Sequence, residues 1–173
     1  MGADKATIDW RGRPLWEWQL EKLRELAPAK IFLSARSDPT WRPMDVEFVP
    51  DAAPSRGPLS GLAAALARTK SEHTLVLAID LPAMTVGHLQ YLCGLIARDV
   101  GVIPVIEGRA EPLAAIYPRS ARAACANALA GTDASLQPLI RKLVDFKKMR
   151  AVEIASADRG FYQNVNEPGD LDE

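Results

Sequence analysis

In residues 75–83, Leu-Val-Leu-Ala-Ile-Asp-Leu-Pro-Ala, an unbroken apolar run stops at a single carboxylate and a proline. A run this short between helical patterns predicts a strand buried on both faces and paired on both edges, because only a covered sheet gives every side chain an apolar neighbour. Pro82 lacks the N–H that a ladder needs and holds Leu81 extended, so the strand is expected to end there, with Asp80 at its carboxyl end. In open α/β sheets that edge is where ligands bind. A lone carboxylate there suits a hard cation such as magnesium, which takes one or two protein carboxylates and fills its other positions with water and phosphate oxygens. It equally suits a cap on the next helix, although Thr85 is the better placed cap for a helix starting near Val86.

Around this run, strand-like and helix-like stretches alternate. Pro14 fits the first position of an amphipathic helix reaching about Leu26, with Leu15, Trp18, Leu23 and Leu26 inward and Glu17, Gln19, Glu21, Lys22 and Arg24 on the polar side. Trp16 and Trp18 read as packing residues. Short buried strands are predicted at residues 31–33, running out through Ser34, and at residues 46–49, running out to Asp51. Asp51 repeats the logic of Asp80: an acid after a β-rich run, followed by a turn-rich stretch. In that stretch Gly57 and Gly61, flanking Pro58 and Leu59, allow backbone to come close to a phosphate at the N-terminus of a helix over residues 62–68. The small Ala63, Ala64 and Ala65 equally serve to pack that helix tightly on a sheet.

Downstream, a helix over residues 86–97 has Leu89, Leu92, Cys93 and Ile96 inward and His88 on its outer side. A strand at residues 100–106 and an extended run at 112–117 form a hairpin through Glu107-Gly108-Arg109, which calls for at least one antiparallel strand. An Ala-rich helix over residues 119–129 ends at Gly131, another begins at Ser135, a last strand covers residues 150–154, and residues 161–168 are extended. The alternation predicts a Rossmann-like, doubly wound, mostly parallel sheet in a three-layer α/β/α arrangement. The 173 residues suit a single domain.

A formal net charge of -1 with 25% charged residues gives no reason to expect nucleic acid or a membrane as partner, so anionic ligands must be held locally. The two cysteines, Cys93 and Cys125, sit in apolar helical patterns without metal-site spacing and read as buried thiols. No stretch approaches the ~18 apolar residues of a membrane helix, and the expected location is the cytoplasm.

Six stretches, in order, carry a resemblance. They are Met1-Gly2-Ala3-Asp4-Lys5-Ala6, Gly12-Arg13-Pro14-Leu15, Gly57-Pro58-Leu59-Ser60-Gly61, Ala78-Ile79-Asp80-Leu81-Pro82, Glu111-Pro112-Leu113-Ala114-Ala115-Ile116-Tyr117 and Asn164-Val165-Asn166-Glu167-Pro168. Together they resemble the molybdenum cofactor guanylyltransferase family, within the nucleotidyltransferase superfamily of the nucleotide-diphospho-sugar transferase type. The resemblance implies transfer of GMP from GTP to molybdopterin with release of pyrophosphate, Mg²⁺ as cofactor, and molybdoenzymes or their chaperones as further partners. It implies that Lys5 contacts the nucleotide phosphates, that Asp51 lies beside the nucleotide, that Asp80 binds magnesium, and that Gly57, Pro58 and Leu59 belong to the nucleotide site. Ser34 stands where the family commonly has a nucleotide-contacting asparagine. Asn164 and Asn166 match paired asparagines at the acceptor end, with Glu167 in place of the usual threonine. Family members open with a strand and a glycine-rich loop of which this chain keeps only the last part, so the resemblance implies a start assigned at an internal methionine, or else a truncated product. The absent strand would lie between those at Ile31 and Leu75. The alternatives are a related transferase using CTP or a sugar phosphate, and a non-catalytic molybdopterin-binding or scaffold protein.

Overall fold

The computed structural model describes residues 4–53 and 55–165. A 3-10 turn at Lys5–Thr7 leads into two short antiparallel strands, β1 (Asp9–Trp10) and β2 (Arg13–Pro14), joined by a tight turn through Gly12 at φ 81°. Helix α1 (Leu15–Glu25) follows directly, with Pro14 just outside it as N-cap rather than as its first residue. Strands β3 (Phe32–Ala35) and β4 (Glu47–Pro50) pair in parallel, and α2 (Pro58–Arg68) packs on both. That helix begins four residues earlier than the alternation predicts, because Pro58 is preorganised for its first turn and Gly57, at φ 73°, turns the chain into it.

The main sheet is built from β5 (His73–Leu77), β6 (Gly101–Ile106), β7 (Arg109–Ala110), β8 (Ala114–Pro118) and β9 (Met149–Glu153). Strand β8 lies between β5 and β6 and runs against both; β9 lies parallel to β6 on its other edge, so β5, β6 and β9 share one direction. The hairpin joining β6 and β7 turns at Glu107 and Gly108, both at positive φ (51° and 77°), the geometry that matches the twist of the strands it joins.

Helices cover both faces. Side chains alternate across the pleat: Ile103, Ala115 and Tyr117 face Leu59, Leu62 and Leu66 of α2 together with α4 (Ala121–Ala130) and α5 (Leu136–Asp145). Val102 and Ile116 face Leu92 of α3 (Val86–Gly94), and Ala114 meets Leu81, Met84 and Leu89. Each fully buried leucine in these layers contributes about 1.5–3 kcal/mol relative to exposure. The result is the Rossmann-like three-layer arrangement expected from the alternation.

The strand at the centre of the sequence argument departs from expectation in two ways. Its ladder ends at Leu77, before Asp80: Ala78 N–H still donates in register to Leu113 O (2.7 Å), and residues 79–80 then form a turn. Its neighbours are also fewer: among the described residues β5 pairs with β8 alone, and its other edge faces β3 across a cleft of about 1350 Å³. Phe32, Leu33 and Ser34 line one wall of the cleft, and Leu75, Val76 and Leu77 the other.

Three further expectations are corrected. His88 is buried, 7% exposed, because the chain's last described segment folds over the outer side of α3. Residues 156–162, which include the start of the run expected to be extended, form a 3-10 helix (Ser156–Tyr162). Gln19 and Lys22 of α1 are buried rather than on a solvent face.

Candidate active site

Lys5 is placed by its own turn. Asp4 caps it, accepting from Ala6 N–H (3.1 Å) and from the Trp41 indole N–H (2.8 Å), and Trp41 stacks on Trp16 of α1 with ring centroids 5.3 Å apart. The aromatic pair thus fixes the polar turn. From it the Lys5 ammonium reaches to 3.9 Å from Asp80 Oδ2, a loose pair whose side chains keep 48% and 23% of their exposure. A pair at that distance, between side chains this exposed, contributes little to stability.

Asp80 stands in the turn after β5, beside α3. Thr85, not Asp80, caps that helix, its Oγ1 accepting from His88 N–H at 3.2 Å. The capping explanation for Asp80 therefore falls away. Its main-chain carbonyl accepts from Val165 N–H (2.9 Å), which brings the segment carrying Asn164 against the Asp80 turn. Asn164 itself is exposed, and Asn166 lies outside the described residues.

On the opposite wall, Ser34 at the end of β3 donates from Oγ to Asp51 Oδ1 (3.0 Å) just past the end of β4. Gly61 of α2 packs onto this pair: a Cβ there would lie 3.0 Å from Ser34 Oγ and 3.1 Å from Asp51 Oδ1. Gly57 and Pro58 open α2 toward the same cleft, where the first-turn N–H groups and the helix dipole favour an anion. Leu59 is fully buried in the core, leaving only its main chain for the site. Arg56, the cation nearest this turn in sequence, is engaged elsewhere: its guanidinium donates to the carbonyls of Leu129, Gly131 and Thr132 and closes the end of α4.

The fold therefore gathers Ser34, Asp51, Gly57, Pro58 and Asp80 around one cleft, with Lys5 beside Asp80. Among the described residues no group of three or more His, Cys, Asp and Glu side chains is gathered to hold a metal by itself. Sequence reasoning missed Gln19, Lys22, His88 and Tyr162. His88 Nε2 pairs with Tyr162 Oη at 2.8 Å, and burial lowers the His88 pKa while raising that of Tyr162.

Comparison with known proteins bears on this arrangement. The probable molybdenum cofactor guanylyltransferase of Opitutus terrae is 34% identical over 99% of this chain and 87% of its own length. That of Haloferax mediterranei is 29% identical over 98% and 84%. Among solved structures, molybdopterin-guanine dinucleotide biosynthesis protein A from Archaeoglobus fulgidus superposes with a TM-score of 0.73 over 98% of this chain and 88% of that one, at 22% identity. For the 2-C-methyl-D-erythritol 4-phosphate cytidylyltransferase from Thermus thermophilus the values are 0.69, 96%, 90% and 20%. At such identities the structures show the fold alone. The sequence carries more: residues 1–148 match the family model for the MobA-like NTP transferase domain, and the chain belongs to that family.

Proposed function

We propose that the protein transfers GMP from GTP to the phosphate of molybdopterin. An acceptor oxygen bonds to the α-phosphorus, the bond from that phosphorus to the bridging oxygen breaks, and pyrophosphate leaves with the electron pair. The acceptor is already an anion, so the step needs no general base. What it needs is alignment and charge compensation, and the observation that carries the reading is the Lys5–Asp80 pair at 3.9 Å on the rim of a cleft that also holds Ser34, Asp51 and Gly57. Lys5 offsets charge developing on departing pyrophosphate, α2 receives phosphate at its N-terminus, and Asn164, with Asn166, contacts the acceptor. Asp80 suits Mg²⁺ because a lone, partly exposed carboxylate leaves the other positions for water and phosphate. When bound, the ion supplies Lewis-acid charge stabilisation to the phosphates.

GTP is favoured over CTP because the relatives similar over nearly the whole sequence are named as guanylyltransferases, whereas the cytidylyltransferase shares the fold at 20% identity. The 173 residues form a single nucleotidyltransferase domain, and among the described residues the cleft between β3 and β5 leaves an edge of each open to a further strand. Molybdoenzymes or their chaperones receive the product in the cytoplasm. No helix among the described residues is long and apolar enough to cross a membrane.

The test is incubation with Mg²⁺, molybdopterin and each of GTP, CTP and ATP, following pyrophosphate and the dinucleotide. GTP-selective formation of the guanine dinucleotide is expected. Preference for CTP, or binding of molybdopterin without turnover in the strand-completed chain, overturns the reading.

A further inference from the structure

The turn that carries Asp80 leaves the sheet ladder at Leu77, so its carbonyls point into the protein without strand partners. Two buried side chains of α1 meet them. Gln19 Nε2 donates to Ala78 O (3.0 Å) and Leu81 O (2.8 Å), with Ile79 O at 3.4 Å, and Lys22 Nζ donates to Pro82 O (2.6 Å). The two are locked to each other, Lys22 Nζ donating to Gln19 Oε1 at 3.1 Å. They are 4% and 8% exposed.

Lys22 is an expensive choice for this place. Among the described residues its ammonium donates only to neutral oxygens, and burial pulls its pKa down to about 8, with Glu21 offsetting a little of that. A buried charge without a carboxylate partner is disfavoured on stability grounds, where an apolar side chain of similar length would pack more cheaply. Its use here makes sense if the position of the turn matters more than the stability of the helix. The donors are also selective: they hold residues 78–82 by their carbonyls, while the Asp80 carboxylate is left on the cleft side, partly exposed.

We propose that Gln19 and Lys22 are positioning residues for Asp80. From α1 they clamp the turn on both sides of it and so set where its carboxylate meets the cation, without touching substrate. The inference rests on the guanylyltransferase reading for what the cation does, and on the hydrogen bonds alone for the clamp. Groups that orient a metal ligand from behind typically change metal affinity or activity by about 10- to 100-fold when removed.

Two substitutions in the full chain test it. Gln19→Glu keeps the size and gives Lys22 a carboxylate, but turns an oxygen toward the carbonyls of Ala78 and Leu81. Lys22→Met keeps the length and removes the donor to Pro82. Amide exchange over residues 78–84 is measured in the metal-free protein, Mn²⁺ binding is followed by water proton relaxation, and the Mg²⁺ dependence of GMP transfer is recorded beside the KM for molybdopterin. The expected result is faster exchange confined to residues 78–84, with metal half-saturation raised about tenfold or more and the KM for molybdopterin unchanged. Should one variant fail to fold, the other gives the same readings. A folded variant with parental metal half-saturation overturns the proposal, as does one whose exchange over residues 78–84 is unaltered. A strand-completed parent chain that transfers no GMP sinks the guanylyltransferase reading instead, and exchange and Mn²⁺ binding, which need no turnover, still decide the clamp.

Discussion

Strands β5 and β8 are neighbours of equal length, yet all five residues of β8 are buried while all five of β5 are only half-buried. The difference is one ladder: among the described residues β8 is paired on both edges, and β5 on one. The same contrast separates two regions of the molecule. Around β6 and β8 the sheet is continuous and covered by α2, α4 and α5 on one face and α3 on the other, with Val102, Ile103 and Tyr117 at 0% exposure, and β9 is a mostly exposed strand on its edge. Around β3 and β4 there is a two-stranded sheet, all of β3 half-buried, held to the rest chiefly through α2. The cleft opens along that seam, so the packed region presents Asp80 on one wall and the seam presents Ser34, Asp51 and Gly57 on the other. On the function proposed above, Asp80 then stands on the wall that the β8 ladder holds, opposite the residues proposed to meet the nucleotide.

The contrast is broken most severely by filling the seam. Adding one strand and a glycine-rich loop ahead of Met1 is expected to pair the edges of β5 and β3 that have no partner among the described residues. Several backbone hydrogen bonds at roughly 0.5–1.5 kcal/mol each, with the apolar burial that goes with them, raise the melting temperature by about 10 °C or more. Calorimetry and GTP titration of the two lengths check this. A short form that melts and binds GTP like the long one means the cleft is not a strand's place.

Next in size is Asp80→Asn, which leaves the packed region untouched and removes its contribution to the site. A fall in turnover of about 100-fold or more is expected at saturating Mg²⁺, with the melting curve unchanged, because an amide is a poor ligand for a hard cation. Lys5→Ala costs less, about tenfold, and mainly in kcat rather than KM. Pyrophosphate release measured across GTP concentrations separates the two effects.

Two glycines compare the regions directly. In Gly101→Ala the new Cβ falls on the Ile116 carbonyl oxygen and lies 2.7 Å from Pro118 Cδ, in backbone fixed by ladders, so a loss of about 1–3 kcal/mol or more is expected. Gly61→Ala meets only the Ser34 and Asp51 side chains at 3.0 and 3.1 Å, which are able to turn away. Its cost in stability should stay under about 1 kcal/mol while GTP affinity falls. Equal losses of stability from both would erase the distinction between the regions.

The smallest effect concerns the buried His88–Tyr162 contact. Burial lowers the His88 pKa, Asp158 only partly opposing it, so the unfolded chain binds the proton more readily. Stability is therefore complete above the ordinary histidine value near 6.5 and declines as pH falls below it. A drop of about 2–4 °C in melting temperature between pH 7 and 5 is expected beyond that of His88→Gln. Parallel curves for the two proteins would show that His88 titrates as it does when unfolded.

The sequence by itself determined the elements whose causes are local. The apolar run before Asp80, the Thr85 cap, the glycine ending α4 and the turn at Glu107 and Gly108 all follow from steric and hydrogen-bonding rules acting over a few residues. Asp51, Gly57 and Asp80 were legible as candidates because their types stand after strands or before a helix, and Lys5 and Ser34 only through the resemblance to the family. Tertiary structure decided the rest. Gln19 and Lys22 look like the solvent face of an amphipathic helix, and only the arrival of Leu81 and Pro82, some 60 residues away, turns that face inward. His88 is covered by Tyr162, 74 residues further on. A polar group's burial depends on which chain lands on it, and no local periodicity carries that information.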